Sequence, residues 1–153
     1  MKTFKTLKLF ALSLLLGLMT PAFAADTPED AIAIVNKGLA YVDAHGKDAL
    51  IKEVNNKNPA FIKGDVYLAL RAMDGTTIAH PMNPRVVGKN MVVFADADGK
   101  FYRKEIIDVA KTKGKGWVDY RYNNPETKEL EKKATYFVRS GDMILEAGIY
   151  KGK

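Results

Sequence analysis

The hydrophobic period of this chain changes near Asp65, and that switch limits the folds open to it. Before it, apolar residues recur three or four positions apart. After it, they alternate or run together in short stretches bounded by turn residues. Thr27-Pro28-Glu29-Asp30 opens a helix: Thr27 is a capping residue, Pro28 suits the first helical position, and the acids complement the positive end of the dipole. Ile32, Val35, Leu39 and Val42 fall on one apolar stripe, and Gly46 after His45 is a stop signal. A second helix is predicted from Asp48 to Asn56, with Leu50, Ile51 and Val54 inward, ended by Asn58-Pro59.

Beyond the switch, Val66 to Met73 reads as a strand apolar on both faces, followed by the turn Asp74-Gly75. Thr76 to His80 returns as a second strand, stopped by Pro81 and Pro84. Asp98-Gly99 turns into a helix over Phe101 to Lys111, which glycines 114 and 116 end. Gly116 to Tyr122, Lys132 to Arg139 and Met143 to Tyr150 close the chain as a three-strand meander. Helices first and strands later, with no helix partner of similar length, predict an α+β domain on a five-stranded antiparallel sheet.

The first residues belong to a different category. Lys2, Lys5 and Lys8 precede an apolar run from Leu9 to Met19, and Ala22-Phe23-Ala24 supplies small residues where a signal peptidase reads. We expect export to the periplasm with cleavage after Ala24, because the run is shorter than the roughly 20 apolar residues of a membrane span. Residues 25–153 then form one domain of common size. Losing the three lysines of the leader lowers the net charge from +6 to +3. That balance, with signs interspersed, speaks against nucleic acid as a partner. An exported chain without cysteine must hold itself together by its core alone. The same absence excludes thiol nucleophiles, zinc fingers and iron–sulfur clusters.

Catalysis finds little support. Ser140 is the only serine after residue 24, in a turn with no histidine near it in sequence, and no HExxH or phosphate-loop pattern occurs. His45, at a helix end, reads as a dipole partner. Asp96-Ala97-Asp98-Gly99 resembles a calcium loop, but its glycine is fourth and the twelfth residue is Ile107. The EF-hand needs glycine at position six and glutamate at twelve, so we read a turn whose acids cap the following helix and expect no metal and no cofactor. His80, at a strand end before Pro81, is as compatible with a structural role as with a binding one. Lys133 is more informative: it sits inside a strand pattern, and a lysine covered there needs an anion or must reach the rim. Tyr120 and Tyr122 share a strand face, with Trp117 on the other parity, while Tyr67 and Tyr102 come from the first strand and the middle helix. Tyrosines of this kind suit a small ligand of mixed polarity and equally suit ordinary sheet packing.

Set in order, the motifs resemble the single Cache domain family, the PAS-like extracytoplasmic sensor modules of bacterial chemoreceptors and sensor kinases. The matching residues are Tyr67, Ala79-His80-Pro81 with Asn83-Pro84, Gly88-Lys89-Asn90 and Asp96 to Lys100. Gly116-Trp117-Val118-Asp119-Tyr120, Pro125, Lys133-Ala134-Thr135-Tyr136 and Ala147-Gly148-Ile149-Tyr150 complete the match. The resemblance implies a long N-terminal helix packed on the sheet, short helices over the other face, and a pocket on that second face. It implies a ligand such as acetate, propionate, pyruvate or lactate. Carried onto this chain, the pocket takes Tyr67, His80, Met82, Trp117, Tyr120, Tyr122 and Lys133, with Lys133 as the carboxylate's charge partner and Met82 to Lys100 closing over it. In receptors of this family a transmembrane helix follows the domain, whereas this sequence stops at Lys151-Gly152-Lys153. We therefore expect a membrane receptor or sensor kinase as partner, with a homodimer through the N-terminal helix left open. The competing expectations are an interaction module without a ligand, or a membrane-tethered subunit.

Overall fold

The structure, a computed structural model, describes residues 26–151. The predicted leader, its cleavage site and the last two residues lie outside that range. Helix α1 spans Pro28–His45 and opens with a capping box, in which Thr27 Oγ1 accepts from the Asp30 amide and Asp30 accepts from the Thr27 amide. Its buried stripe is Ala31, Ile34, Val35 and Gly38, one position off the predicted one, with Leu39 and Val42 at its flank. Small residues in that stripe bring the helix close to the sheet. A Cβ on Gly38 would lie 2.8 Å from both Leu68 and Leu145. After Gly46 the chain turns into α2 (Lys47–Asn55), which buries Leu50 and Val54.

Six strands follow in one antiparallel sheet: β1 (Ile62–Lys63), β2 (Val66–Ala72), β3 (Thr77–Ala79), β4 (Lys115–Asn123), β5 (Leu130–Ser140) and β6 (Met143–Lys151). The order is β1-β2-β6-β5-β4, with β3 also paired to β2, so the last strand of the chain lies at the centre. The predicted five strands are all present. The two-residue β1 is an addition that no alternation in Ile62–Lys63 announces. Helix α3 (Tyr102–Lys113) and a 3-10 turn at Pro84–Val86 lie over the second face.

Because side chains alternate along each strand, the sheet separates two cores. Val66, Leu68 and Leu70 of β2, Ala134 of β5, and Leu145, Ala147 and Ile149 of β6 meet α1 and α2 on one face. Val118, Phe137 and Ile144 meet Tyr102, Ile106, Ile107 and Ala110 of α3 on the other. Side chains such as Leu68, Leu70 and Leu145, at most 1% exposed, each contribute about 1.5–3 kcal/mol by burial. The second core covers only one end of its face. At the other end the sheet carries polar side chains, and there the site lies.

Candidate functional site

Register explains how the polar residues converge. Lys133 of β5 stands directly across from Tyr120 on β4 and Tyr150 on β6, and Thr135 stands across from Gly148. On β2, Tyr67, Ala69 and Arg71 face the same way, as do Glu146, Gly148 and Tyr150 on β6. Gly148 leaves the lane free along which the Lys133 stem runs: a Cβ there would come 2.6 Å from Lys133 Cε and would also collide with Thr135 Oγ1. The lysine thus reaches across the central strand, donating to the Tyr67 hydroxyl at 3.0 Å and the Tyr150 hydroxyl at 3.2 Å. Its Nζ sits 4.5 Å from the Tyr67 ring centre, 4.4 Å from that of Tyr150 and 5.3 Å from that of Tyr122.

This ammonium is 3% exposed, and among the described residues no carboxylate lies within 4.0 Å of it. Glu146, the acid on the neighbouring strand face, is already held by Arg71, whose Nε and Nη2 donate to its two oxygens at 2.5 and 3.0 Å. Burial therefore pushes the Lys133 amine down to about 7, with Asp65 and Glu146 acting weakly in the other direction. Burial likewise raises the hydroxyls of Tyr67, Tyr102, Tyr120 and Tyr150 above the usual tyrosine value, so they remain protonated donors. The Tyr67 and Tyr150 hydroxyls also hydrogen-bond each other, so of their two protons one is left to give elsewhere.

His80 closes the cavity beside Tyr67, its ring 5.1 Å from the Tyr67 ring. Burial first, then the charges of Lys133 and Arg71, push its pKa down to about 3, so the ring is neutral. Nδ1 accepts from the Asn83 amide at 3.0 Å. The proton must then reside on Nε2, which makes His80 a second neutral donor. Its position follows from the Pro81 stop, since β3 ends at Ala79 and the chain turns back through Asn83.

The space these groups enclose is small. The inner cavity measures about 40 Å³ and is lined by Tyr67, His80, Tyr120, Tyr122, Lys133 and Thr135, among others. A water needs roughly 10–15 Å³ by this measure, so the cavity has room for about three heavy atoms, the size of a carboxylate group. It adjoins an outer chamber of about 730 Å³ through shared walls at Tyr67, His80, Met91, Tyr102, Arg103 and Tyr122. Arg103 stands at this junction with its guanidinium 4.3 Å from the Tyr102 ring centre, donating to the Phe94 carbonyl.

Of the seven predicted site residues, five line the inner cavity: Tyr67, His80, Tyr120, Tyr122 and Lys133. Met82 borders only the outer chamber. Trp117 corrects the expectation. It is 39% exposed, its ring lies 5.3 Å from Tyr136, and it lines none of these spaces. Odd-numbered residues of β4 point to the opposite face from Tyr120 and Tyr122, and parity alone excludes it. Tyr150, Arg71, Glu146 and Gly148 were missed; Arg71 shares strand parity with Tyr67, whereas β6 carried no predicted site residue to set the parity of the other three. The acidic turn also differs from expectation. Asp96 does not cap α3, whose N-terminus has no side-chain cap. Instead it accepts from the amides of Asp98, Lys100 and Arg121, tying the loop before α3 to edge strand β4. Among the described residues, no group of three or more histidine or acidic side chains is placed to hold a metal. His45 packs on Tyr41, ring centres 4.4 Å apart, remote from the site.

Three solved structures share this fold. A periplasmic sensor domain of a chemotaxis protein is 19% identical, with a TM-score of 0.65 over 81% of this chain and 90% of its own. A Cache chemosensory domain solved for the structural basis of carboxylic acid recognition is 24% identical, with a TM-score of 0.64 over 81% of this chain and 88% of that one. A methyl-accepting chemotaxis protein from Vibrio parahaemolyticus is 20% identical, with a TM-score of 0.55, covering 77% of this chain and 96% of that one. At such identities the likeness is one of architecture. The sequence adds the family, for residues 33–150 match Single Cache domain 2. This chain therefore belongs to the single Cache domain family of sensor modules.

Proposed function

We propose that the domain binds a small organic acid through its carboxylate, outside the cytoplasm, as the sensing step of a signalling or chemotaxis pathway. The observation that carries this reading is the buried Lys133 ammonium, without a carboxylate in reach among the described residues, beside a cavity the size of a carboxylate. Burying an unpaired charge is costly, and a bound anion removes that cost while forming charge-assisted hydrogen bonds. In this reading Lys133 is the charge partner, and one hydroxyl of the Tyr67 and Tyr150 pair donates to the ligand together with Nε2 of His80. Tyr120 and Tyr122 wall the site, and Met82 to Lys100 closes over it. The likeness to a domain that recognises carboxylic acids supports the same ligand class.

Two further steps belong to this proposal. Cleavage after Ala24 releases the domain into the periplasm, and the loaded domain presents its ligand to a membrane chemoreceptor. Among the described residues no helix is long and apolar enough to cross a membrane.

A thermal-shift screen of short-chain acids tests the binding step. A ligand at 100 times its dissociation constant should stabilise the wild type by about 2.7 kcal/mol. Lys133→Met, which removes the ammonium and keeps the apolar stem, should respond to no acid. A wild type unmoved by every acid would leave an interaction module without a ligand as the better reading.

A further inference from the structure

Building on the carboxylate reading, we infer that the outer chamber receives an apolar tail, so that the preferred ligands are acids of about five to eight carbons. Two observations carry this. First, the inner cavity of about 40 Å³ is filled by a carboxylate group alone, so every carbon beyond it must lie in the outer chamber of about 730 Å³. Second, the wall of that chamber carries large apolar side chains left uncovered: Phe94 is 54% exposed and Leu130 42% exposed, with Met82, Met91 and Pro125 beside them. Among the described residues Val93, Phe101 and Trp117 are also exposed, but they do not line the chamber. Apolar surface facing a concave, water-filled space gains free energy when an alkyl chain displaces the water.

Besides its apolar wall, the chamber is lined by the charges of Arg103, Arg121, Lys128 and Asp96. Arg71 is neutralised by Glu146, which leaves Lys133 and, at the junction with the outer chamber, Arg103 as the cations of the inner cavity without an ion pair among the described residues. A second carboxylate on the tail would be drawn to the cations of the chamber, away from Phe94, Leu130 and Met82. A plain hydrocarbon tail takes the apolar wall instead.

The test is calorimetric titration of the whole domain with straight-chain carboxylates from acetate to octanoate, at one pH and one ionic strength. A fully buried methylene is worth about 0.8 kcal/mol, or roughly fourfold in affinity. In an open chamber each added methylene should tighten binding about two- to fourfold, making hexanoate roughly 16- to 250-fold tighter than acetate. Replacing Phe94 and Leu130 by serine should reduce that increment per methylene. If acetate binds in a Lys133-dependent manner and longer acids bind more weakly, the tail proposal fails and the carboxylate reading stands. If no acid of any length binds, the carboxylate reading fails and takes the tail with it.

Discussion

Carboxylate binding to Lys133 should be coupled to proton uptake, and the coupling can be worked out from the site. The amine is held near pH 7 by burial, whereas the ligand needs the ammonium. Of the groups facing it, His80 sits at about 3, the Tyr67 and Tyr150 hydroxyls are raised, and Glu146 accepts from Arg71. Observed affinity should therefore follow the protonated fraction of Lys133, about nine-tenths at pH 6, one-half at pH 7 and one-hundredth at pH 9. From pH 6 to pH 9 the dissociation constant should rise roughly 90-fold, approaching tenfold per pH unit above pH 8. Calorimetry at constant ionic strength gives the constants directly. Repeating the pH 8 titration in buffers of different ionisation enthalpy should show uptake of nearly one proton per ligand. A dissociation constant flat from pH 6 to 9, or no proton uptake at pH 8, would refute the assignment of Lys133. The same displacement governs stability in the absence of ligand. Unfolded, the lysine titrates near 10.5, so the unfolded chain binds more protons between about pH 7 and pH 10.5. The empty protein should accordingly gain stability as pH rises through that window and carry the full penalty below it.

Further expectations concern the groups around the lysine. Glu146→Leu leaves the Arg71 guanidinium buried without its acid and should cost about 3–5 kcal/mol in urea unfolding; a loss under about 1 kcal/mol would show that the pair is not needed. Gly148→Ala forces the Lys133 stem aside and should cost about 1–3 kcal/mol by overpacking, with acid binding lost, and retained affinity would show that the lysine need not cross β6 there. Lys133→Met should raise the melting temperature of the empty domain, since an apolar side chain replaces an unpaired amine; a lowered one would mean the ammonium is well satisfied as it stands. Asp96→Ala should speed hydrogen exchange at the Arg121 amide. Burial acts to raise the Asp96 pKa, but the backbone donors outweigh it and the net shift is downward. The tie should thus be intact at neutral pH and be lost only as pH falls below the ordinary aspartate range. Unchanged exchange in the variant would show that β4 holds without it.

The architecture was legible because helices and strands announce themselves through different periods, and the switch at Asp65 falls between α2 and β2. A lysine inside a strand pattern and a histidine before Pro81 are unusual placements, and the family resemblance named them with Tyr67 as site residues. Strand parity would also have excluded Trp117 and, from Tyr67, admitted Arg71. What parity could not supply is register. Nothing within β6 alone says that Tyr150 lies opposite Lys133, because that pairing depends on the tight turn at Ser140–Met143 and on β6 entering the centre of the sheet. The division into an inner cavity and an outer chamber was likewise beyond reach, since it depends on how the segment Met82 to Lys100 packs over the sheet. Asp96 shows the limit most plainly. Its position before a helix predicts a cap, but tertiary contact with the Arg121 amide 25 residues away decides its role.

The central claim is that a ligand carboxylate lies against Lys133. A crystal structure of the domain grown with hexanoate tests it most directly. The account predicts a carboxylate oxygen about 2.7–3.0 Å from Lys133 Nζ, within reach of the Tyr67 and Tyr150 hydroxyls and His80 Nε2, with the alkyl chain running toward Phe94. A cavity still occupied by water, with Lys133 bonded only to its two tyrosines at ligand concentrations that saturate binding, would contradict it.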